Sequence, residues 1–246
     1  MIINFFTNFC QSASAIKCPI VSSPRFLGTF QPTKDEFIKS PNISFCSSKG
    51  TDFYDNNALQ FFNDTKDLKS MEPVCDEFIN VLPENAEVLD AGCGSGRDSK
   101  YFMSKGLSVT AIDGSKELCE LASENIGQEV LNLNYNQIPP SPKYDGIWAC
   151  AALVHSSDEE MHQSINCMAN ALKDGGILQT NFKLGDKTII DGKNRVQRYF
   201  NEQTLEKLFN EHPNLEIEKT WVTEDVLKRP DNDWLNVILR KKLSED

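Results

Sequence analysis

The segment 88–96, Val-Leu-Asp-Ala-Gly-Cys-Gly-Ser-Gly, constrains the fold of this chain more than any other part. An apolar run ends here in a loop with glycine at every second position, and a helix-forming sequence follows. Glycine lets the backbone turn sharply and lets a ligand approach closely, because it has no Cβ. A helix that begins after such a loop presents free N–H groups and the positive end of its dipole. The segment therefore predicts a strand, a ligand-binding loop and a helix, in that order.

The glycine spacing bears on which cofactor the loop binds. A dinucleotide fingerprint, G-x-G-x-x-G, would place its third glycine at position 97, where this chain has Arg97. The strand-like segment 109–113 ends in Asp113, whose carboxylate can accept hydrogen bonds from both hydroxyls of a ribose. This combination favours an adenosine-bearing ligand, and a similar sheet that binds NAD or has lost its ligand is the alternative.

These residues resemble the class I S-adenosylmethionine-dependent methyltransferases, and the resemblance continues in order along the chain. Residues 87–96 are similar to the first strand and glycine loop, 111–115 to the acidic end of the second strand, 144–150 to the fourth strand, and 173–178 to the turn before the fifth. The resemblance implies an α/β, Rossmann-like fold. Its seven-stranded, mostly parallel sheet has helices on both faces and an antiparallel C-terminal hairpin. S-adenosyl-L-methionine is the implied cofactor.

The order of apolar and polar segments along the chain fits this architecture. Strands are predicted at about 87–91, 107–112, 129–133, 144–150, 177–183, 215–222 and 234–241, and helices at about 53–67, 72–81, 96–105, 115–126, 158–172 and 203–210. Ser115 is expected to cap the helix that follows it. The three tryptophans, at 148, 221 and 234, lie in strand patterns and are expected in the core.

A closer resemblance is to a bacterial group often called tellurite-resistance-like methyltransferases. It rests on Arg97 and Asp98 after the glycine loop, on 145–151 and on 234–236, and it covers about residues 52–241. It implies transfer of a methyl group to a small molecule or an inorganic oxyanion.

Two other functions stay open. The loop 153–157 is similar to a loop of methyltransferases that modify the tRNA wobble base. The other open function is that of a regulatory protein that binds S-adenosylmethionine without turnover.

The resemblance assigns a set of residues to the cofactor. They are Tyr54, Asp90, Gly92, Cys93, Gly94, Gly96, Asp113, Gly114, Leu133, Asn134, Ala149 and Cys150. The glycines would admit the methionine end, and Asp113 would hold the ribose. Asp90 either orients the loop and meets the ammonium group through water, or caps the turn. Asn134 stands where the fold commonly has an acid, and its amide can still exchange hydrogen bonds with adenine.

His155 is the candidate catalytic residue. It follows the fourth strand, where an acceptor should meet the methyl group, and its ordinary pKa of about 6.5 suits proton removal near neutral pH. The alternative is a histidine that only packs or hydrogen-bonds in its loop. His162 is expected on a helix surface, and the acids 158–160 in the first turn of that helix. We predict no metal site; a site built from these two histidines and acids is the alternative.

Basic residues recur in the segment after the fifth strand, which often borders the substrate opening in this fold. They either bind an acidic group of the substrate or belong to a solvated loop. The residues concerned are Lys183, Lys187, Lys193, Arg195 and Arg198.

Charge is unevenly distributed along the 246 residues, whose formal net charge is −11. Residues 1–50 carry five Lys/Arg against two Asp/Glu, so the remainder carries 20 against 34, a net of −14. Affinity for nucleic-acid backbones comes largely from Lys and Arg, so this acidity disfavours a nucleic-acid substrate without excluding tRNA. The sequence indicates no oligomeric state.

Composition also divides the chain into two parts. Residues 1–50 are rich in Ser, Pro, Phe and Cys and predict a poorly ordered or accessory extension, and 51–246 predict the methyltransferase domain. The eight cysteines form no C-x-x-C motif, and no apolar run is long enough to span a bilayer. Free thiols suit a reducing compartment, so we expect a cytoplasmic protein without a membrane partner.

Overall fold

The computed structural model describes residues 48–193, 195–229 and 232–244. The first described helix, α1, spans Ser48–Asn56. Apart from its last three residues, the predicted extension 1–50 lies outside the described residues.

The helix expected at 53–67 is two helices, α1 and α2 (Ala58–Thr65), separated at Asn57. Asn57 has φ −124° and ψ 17°, outside the helical region. Its Nδ2 donates to the Phe53 carbonyl oxygen at 2.8 Å. A side-chain amide that bonds the local backbone in this way offers an alternative to the continuing helix. A 3₁₀ turn at Lys69–Met71 and helix α3, Glu72–Ile79, complete the N-terminal part.

The domain is centred on a nine-stranded sheet, two strands more than predicted, within which seven strands make up the predicted sheet. These seven strands are β1 (Glu87–Ala91), β2 (Ser108–Asp113), β3 (Leu131–Asn132), β4 (Tyr144–Ala149), β5 (Leu172–Leu184), β8 (Leu215–Thr223) and β9 (Trp234–Lys241). The spatial order is β3-β2-β1-β4-β5-β9-β8. The first five strands are parallel, and β9 is antiparallel to both β5 and β8. The predicted fold class is confirmed.

Strand β5 begins five residues earlier than predicted. Tyr144 pairs with Leu172, whereas Gly146 pairs with Ile177, so the residues between Leu172 and Ile177 bulge out of register. Two glycines lie in this bulge. Because glycine weakens a strand pattern, the sequence did not indicate that the strand begins before them.

A short hairpin that the sequence did not predict follows β5. Its strands β6 (Thr188–Ile190) and β7 (Val196–Phe200) are antiparallel, and β7 also pairs with the last two residues of β5. The segment was predicted only as a border of the substrate opening. Strands this short, interspersed with Lys and Arg, show no clear alternation of apolar and polar residues.

Helices cover both faces of the sheet. Beyond α3 they are α4 (Arg97–Ser104), α5 (Lys116–Ile126), α6 (Asp158–Ala171) and α7 (Glu202–Asn210). The predicted cap of α5 is confirmed, since the Ser115 hydroxyl accepts from the Leu118 N–H at 3.2 Å. The longest helix among the described residues has 14 residues, and none of the described helices combines the length and apolarity that crossing a membrane requires.

Two buried apolar clusters fix the sheet between these helices. One joins Leu89 and Ile147 to residues of α6 and α7, and the other packs Trp148 against Phe78 and Phe102 of α3 and α4. Both clusters keep the carboxyl ends of the parallel strands at one edge of the sheet, where the loops that follow them converge.

Candidate functional site

A cavity of about 520 Å³ lies at the carboxyl ends of the parallel strands. The loops after β1, β2, β3 and β4 line one part of it, and helices α1 and α2, the β6–β7 hairpin and the connection between β8 and β9 line the other. Ligands of open parallel sheets bind at this edge, where the strand order reverses. Of the residues predicted for the site, those lining the cavity are Tyr54, Gly92, Gly94, Asp113, Gly114, Leu133, Asn134, Cys150 and His155.

The glycine loop approaches the cavity with its backbone. Gly92 has φ +83°, and a Cβ there would lie 2.6 Å from the Tyr135 hydroxyl oxygen. Gly96 has φ +74°, and its Cβ would lie 2.7 Å from Ile126 in α5. Gly92 therefore keeps the cavity wall free of a side chain, whereas Gly96 allows the start of α4 to pack against α5.

Asp113 ends β2 inside the cavity. Its two carboxylate oxygens accept one backbone N–H each, from Gly94 at 2.9 Å and from Ser115 at 2.8 Å. Burial raises the pKa of Asp113, and the two N–H donors oppose this rise. Each carboxylate oxygen has about two lone pairs, so each has one left for a ligand hydroxyl. The same carboxylate thus ties the glycine loop to β2, and ribose binding by Asp113 stays a prediction.

Helix α1 covers the space beside Gly114. A Cβ on Gly114 would lie 2.9 Å from both Thr51 Cγ2 and Asn134 Oδ1. The Ser115 hydroxyl donates to Asp55 Oδ1 at 2.5 Å, which ties α1 to the end of β2. The small residue at 114 makes room for this helix.

Four predicted cofactor residues lie outside the cavity lining: Asp90, Cys93, Gly96 and Ala149. Asp90 is 2% exposed and accepts a hydrogen bond from the Ser99 hydroxyl at 2.6 Å. Burial, followed by the nearby carboxylate of Asp98, raises the pKa of Asp90 to about 7. These are contacts of a carboxylate behind the loop, and cofactor contact by Asp90 stays a prediction.

The Arg-Asp pair after the glycine loop connects α4 to the sheet through its aspartate. Arg97 donates to Asp98 at 2.6 and 2.8 Å, and the indole N–H of Trp148 donates to the same carboxylate at 3.0 Å. Asp98 thereby joins the first turn of α4 to β4. Trp148 is fully buried, as predicted.

His155 lines the cavity just beyond β4. Its Nδ1 lies 2.7 Å from the Val196 carbonyl oxygen. A carbonyl can only accept, so Nδ1 carries the proton and the Nε2 of the neutral ring holds a lone pair. Burial lowers the pKa of His155, and the positive charge of Arg195 lowers it further. The ring is therefore neutral at pH 7, with Nε2 available to accept a proton.

A second group of side chains encloses the cavity opposite the glycine loop. Arg195 donates to Asp191 Oδ2 at 2.8 and 3.0 Å and to the Tyr54 hydroxyl at 3.3 Å. Its guanidinium lies 4.3 Å from the Phe53 ring centroid. Burial would raise the pKa of Asp191, but hydrogen bonds from the backbone and side chains around it hold that pKa well below its ordinary value. Asp191 thus orients Arg195, which joins the hairpin to α1.

The predicted basic residues separate into two sets. Lys183, Lys193 and Arg195 line the cavity, whereas Lys187 and Arg198 do not. Arg198 donates to the Ser156 carbonyl oxygen at 2.7 Å.

Sequence reasoning missed Arg229, which lines the cavity and donates to Asp225 at 2.6 and 2.8 Å. Asp225 stands four positions before Arg229 in the sequence, and this spacing could have indicated the ion pair. Trp234, expected in the core, also lines the cavity, and its indole N–H donates to Asp225 at 3.0 Å.

His162, the other histidine considered for a metal site, lies outside the cavity lining. Its side chain is partly exposed, and its Nδ1 lies 3.0 Å from His212 Nε2. Within the described residues no three His, Cys, Asp or Glu side chains are grouped to hold a metal ion.

Comparisons with known proteins agree with this architecture. A family model described as a methyltransferase domain matches residues 88–176. An uncharacterized methyltransferase of Staphylococcus carnosus is 31% identical over 137 residues, which span 54% of this chain and 64% of that protein. A ubiquinone biosynthesis O-methyltransferase of Coxiella burnetii is 30% identical over 138 residues, 51% of this chain and 58% of that enzyme. The chain thus spans less than two thirds of either relative.

Among solved structures, one similar fold is the Burkholderia thailandensis 1,6-didemethyltoxoflavin-N1-methyltransferase with bound 1,6-didemethyltoxoflavin and S-adenosylhomocysteine. It aligns with a TM-score of 0.67 at 21% identity and covers 79% of this chain and 88% of that chain. These matches do not single out the tellurite-resistance-like group. They agree in one respect: residues 88–176 match a methyltransferase-domain model, and the chain has the class I methyltransferase fold.

Proposed function

We propose that this protein transfers the methyl group of S-adenosylmethionine to a nucleophilic atom of a small molecule, and that His155 takes the proton from that atom. One observation carries the proposal: a single cavity is lined both by the glycine loop with Asp113 and by His155. The domain match and the S-adenosylhomocysteine bound by the Burkholderia enzyme support S-adenosylmethionine as the cofactor.

The loop residues fit such a cofactor. The missing Cβ of Gly92 leaves space for the methionine part next to the backbone, and Asp113 offers acceptors to the ribose. Leu133 and Asn134 line the cavity beside Gly114, in the place for adenine, and Cys150 lies beyond the end of β4. When bound, the cofactor supplies a methyl group on a positively charged sulfur, which needs no further activation.

The chain's own residues then have three tasks: to align the acceptor, to remove its proton and to exclude water. His155 Nε2 would accept a proton from an O–H, N–H or S–H of the acceptor. The freed electron pair would then bond the methyl carbon as the bond from that carbon to sulfur breaks, and the electron pair of the broken bond would stay on the sulfur. Tyr54 packs edge-on against Phe61 with ring centroids 5.3 Å apart, which closes the cavity from the side of α1 and α2. Proton transfer by a positioned residue contributes roughly 100-fold or more to a rate.

A small acceptor is favoured over tRNA. Two of the four cationic side chains in the cavity, Arg195 and Arg229, are neutralised by their own aspartates. The whole chain carries a net charge of −11, which opposes a polyanion. The Burkholderia neighbour binds a small molecule by its description, and small organic molecules and inorganic oxyanions both remain within the proposal.

The test is incubation with isotope-labelled S-adenosylmethionine and a metabolite pool, a set of inorganic oxyanions, or tRNA, followed by mass spectrometry. We expect labelled product from a small molecule. His155→Asn keeps a donor for the Val196 carbonyl and removes the base, so it should lower turnover roughly 100-fold while cofactor affinity is unchanged.

His162→Asn, outside the cavity, is the matched control and should keep full turnover. Labelled tRNA would replace the small-molecule proposal with its alternative. Tight cofactor binding with no labelled product from any pool would favour a regulatory protein instead.

A further inference from the structure

Lys183 is a buried cation at the end of β5. The residue is 7% exposed, and it lines the same cavity as His155. Its ammonium donates to the side-chain oxygen of Asn232, a neutral amide. Within the described part of the chain, no carboxylate lies within 4.0 Å of its Nζ. Lysine is almost never fully buried unless it is paired, so this environment lacks an anion.

The nearby aspartates are already engaged. Asp225 accepts from Arg229 through both carboxylate oxygens and also from Trp234. Asp191 accepts from Arg195 and from Gln197. Each of these two carboxylates is thus paired with an arginine of its own rather than with Lys183.

The other neighbours of Lys183 do not neutralise it. Its Nζ lies 5.6 Å from the Tyr199 ring centroid and 6.0 Å from that of Trp234, which are weak contacts with the ring faces. Burial lowers the pKa of Lys183, and the charges of Arg229 and Arg195 lower it further, whereas Asp225 and Asp191 act in the opposite direction. The charged groups around Lys183 thus lower its pKa on balance and do not neutralise the ammonium.

We propose that Lys183 binds an anionic oxygen group of the methyl acceptor, a carboxylate or a phosphate, in the part of the cavity that it shares with Arg229 and Trp234. This inference rests on the proposed function for the identity of that ligand as the acceptor. An ammonium has three donors, and Asn232 accepts one of them. The group would therefore complete both the charge and the hydrogen bonding of Lys183, and it would orient the acceptor towards His155.

The test measures preference for an anion with S-adenosylhomocysteine present at saturation. The probes are benzoate, phenyl phosphate, inorganic phosphate and the uncharged benzamide. The binding of each probe is measured by saturation-transfer NMR. The unmodified protein should bind benzoate or phenyl phosphate at least about tenfold more tightly than benzamide, because hydrogen bonds to charged groups are the strong ones. Benzoate against phenyl phosphate separates a carboxylate from a phosphate, and inorganic phosphate separates a free oxyanion from an organic one.

Lys183→Met keeps the apolar stem of the side chain and removes the charge, so it should abolish the preference. Lys183→Arg should restore part of it. Lys187→Met is the matched control, because Lys187 lies over the Tyr199 ring but outside the cavity lining, and it should leave the preference unchanged. A preference retained by Lys183→Met, or no preference in the unmodified protein, overturns the proposal.

Affinity for S-adenosylhomocysteine and methyl transfer are measured on the same samples. In the unmodified protein, absence of methyl transfer together with a clear anion preference would count against the proposed function alone. Absence of the anion preference in the unmodified protein, together with methyl transfer, would count against the Lys183 proposal alone.

Discussion

The two parts of the cavity are built in different ways. The part that we propose for the cofactor consists of backbone and one carboxylate: the Gly94 N–H donates to Asp113, and Gly92 leaves the cavity wall free of a side chain. The part that we propose for the acceptor consists of long side chains from three distant segments, represented by Tyr54, Arg195 and Arg229. A common cofactor can be held by a common loop, whereas a particular acceptor needs its own side chains. Substitutions in the two parts should therefore affect different steps.

The largest expected effect on cofactor binding comes from Gly92→Ala. The new Cβ would lie 2.6 Å from the Tyr135 hydroxyl oxygen, at a positive φ that alanine tolerates poorly. Strain of this kind costs about 1–3 kcal/mol, so with the clash we expect roughly 100-fold weaker binding of S-adenosylhomocysteine by calorimetry.

Two variants separate the clash from the strain. Gly106→Ala has a similar φ of +86° with no atom within 4 Å of the new Cβ, so it should leave cofactor affinity unchanged. Adding Tyr135→Phe to Gly92→Ala should recover part of the affinity. An unchanged affinity in Gly92→Ala would show that the missing Cβ of Gly92 is not required for cofactor binding.

Asp113→Asn should have the next largest effect. The amide leaves one of the two N–H donors, from Gly94 or Ser115, without an acceptor and weakens the bonds to a ribose. Hydrogen bonds to charged groups are worth about 1.5–3 kcal/mol, so S-adenosylhomocysteine should bind at least about tenfold more weakly.

Asp145→Asn is the control for Asp113. Its carboxylate accepts from the Glu87 N–H and from Lys173, outside the cavity. If both variants bind the cofactor as the unmodified protein does, the ribose assignment of Asp113 fails.

The smallest effect concerns pH. Burial lowers the pKa of His155 from 6.5, so more than half of the rings remain neutral at pH 6.5. The active form is the neutral one, so turnover should rise with pH on the acid side and reach more than half of its plateau by pH 6.5. His155→Asn should lose this acid limb. A midpoint above 6.5 in the unmodified protein would contradict the role of burial at this histidine.

The contrast between the two parts also explains what could be predicted from the sequence. The strand, loop and helix around Gly92 are encoded within a few consecutive residues, and the Ser115 cap depends only on its own helix. Such local chemistry can be read without a structure.

The acceptor part depends instead on contacts between distant segments. Arg195 reaches Tyr54 across 141 positions of sequence, and Lys183 meets Asn232 across 49. The positions of these residues follow from how β5, the hairpin and α1 pack together. For that reason the role of Asp191 was missed, and so was the cavity contact of Trp234, which also packs against the core.

We propose that the cofactor part and the acceptor part of the cavity act independently, and calorimetry with S-adenosylhomocysteine distinguishes them. The unmodified protein should bind this ligand in preference to NAD. Asp113→Asn should weaken the binding at least about tenfold, and His155→Asn should leave it unchanged while turnover falls. Preferential binding of NAD, or an equal loss of S-adenosylhomocysteine affinity in both variants, would contradict the account.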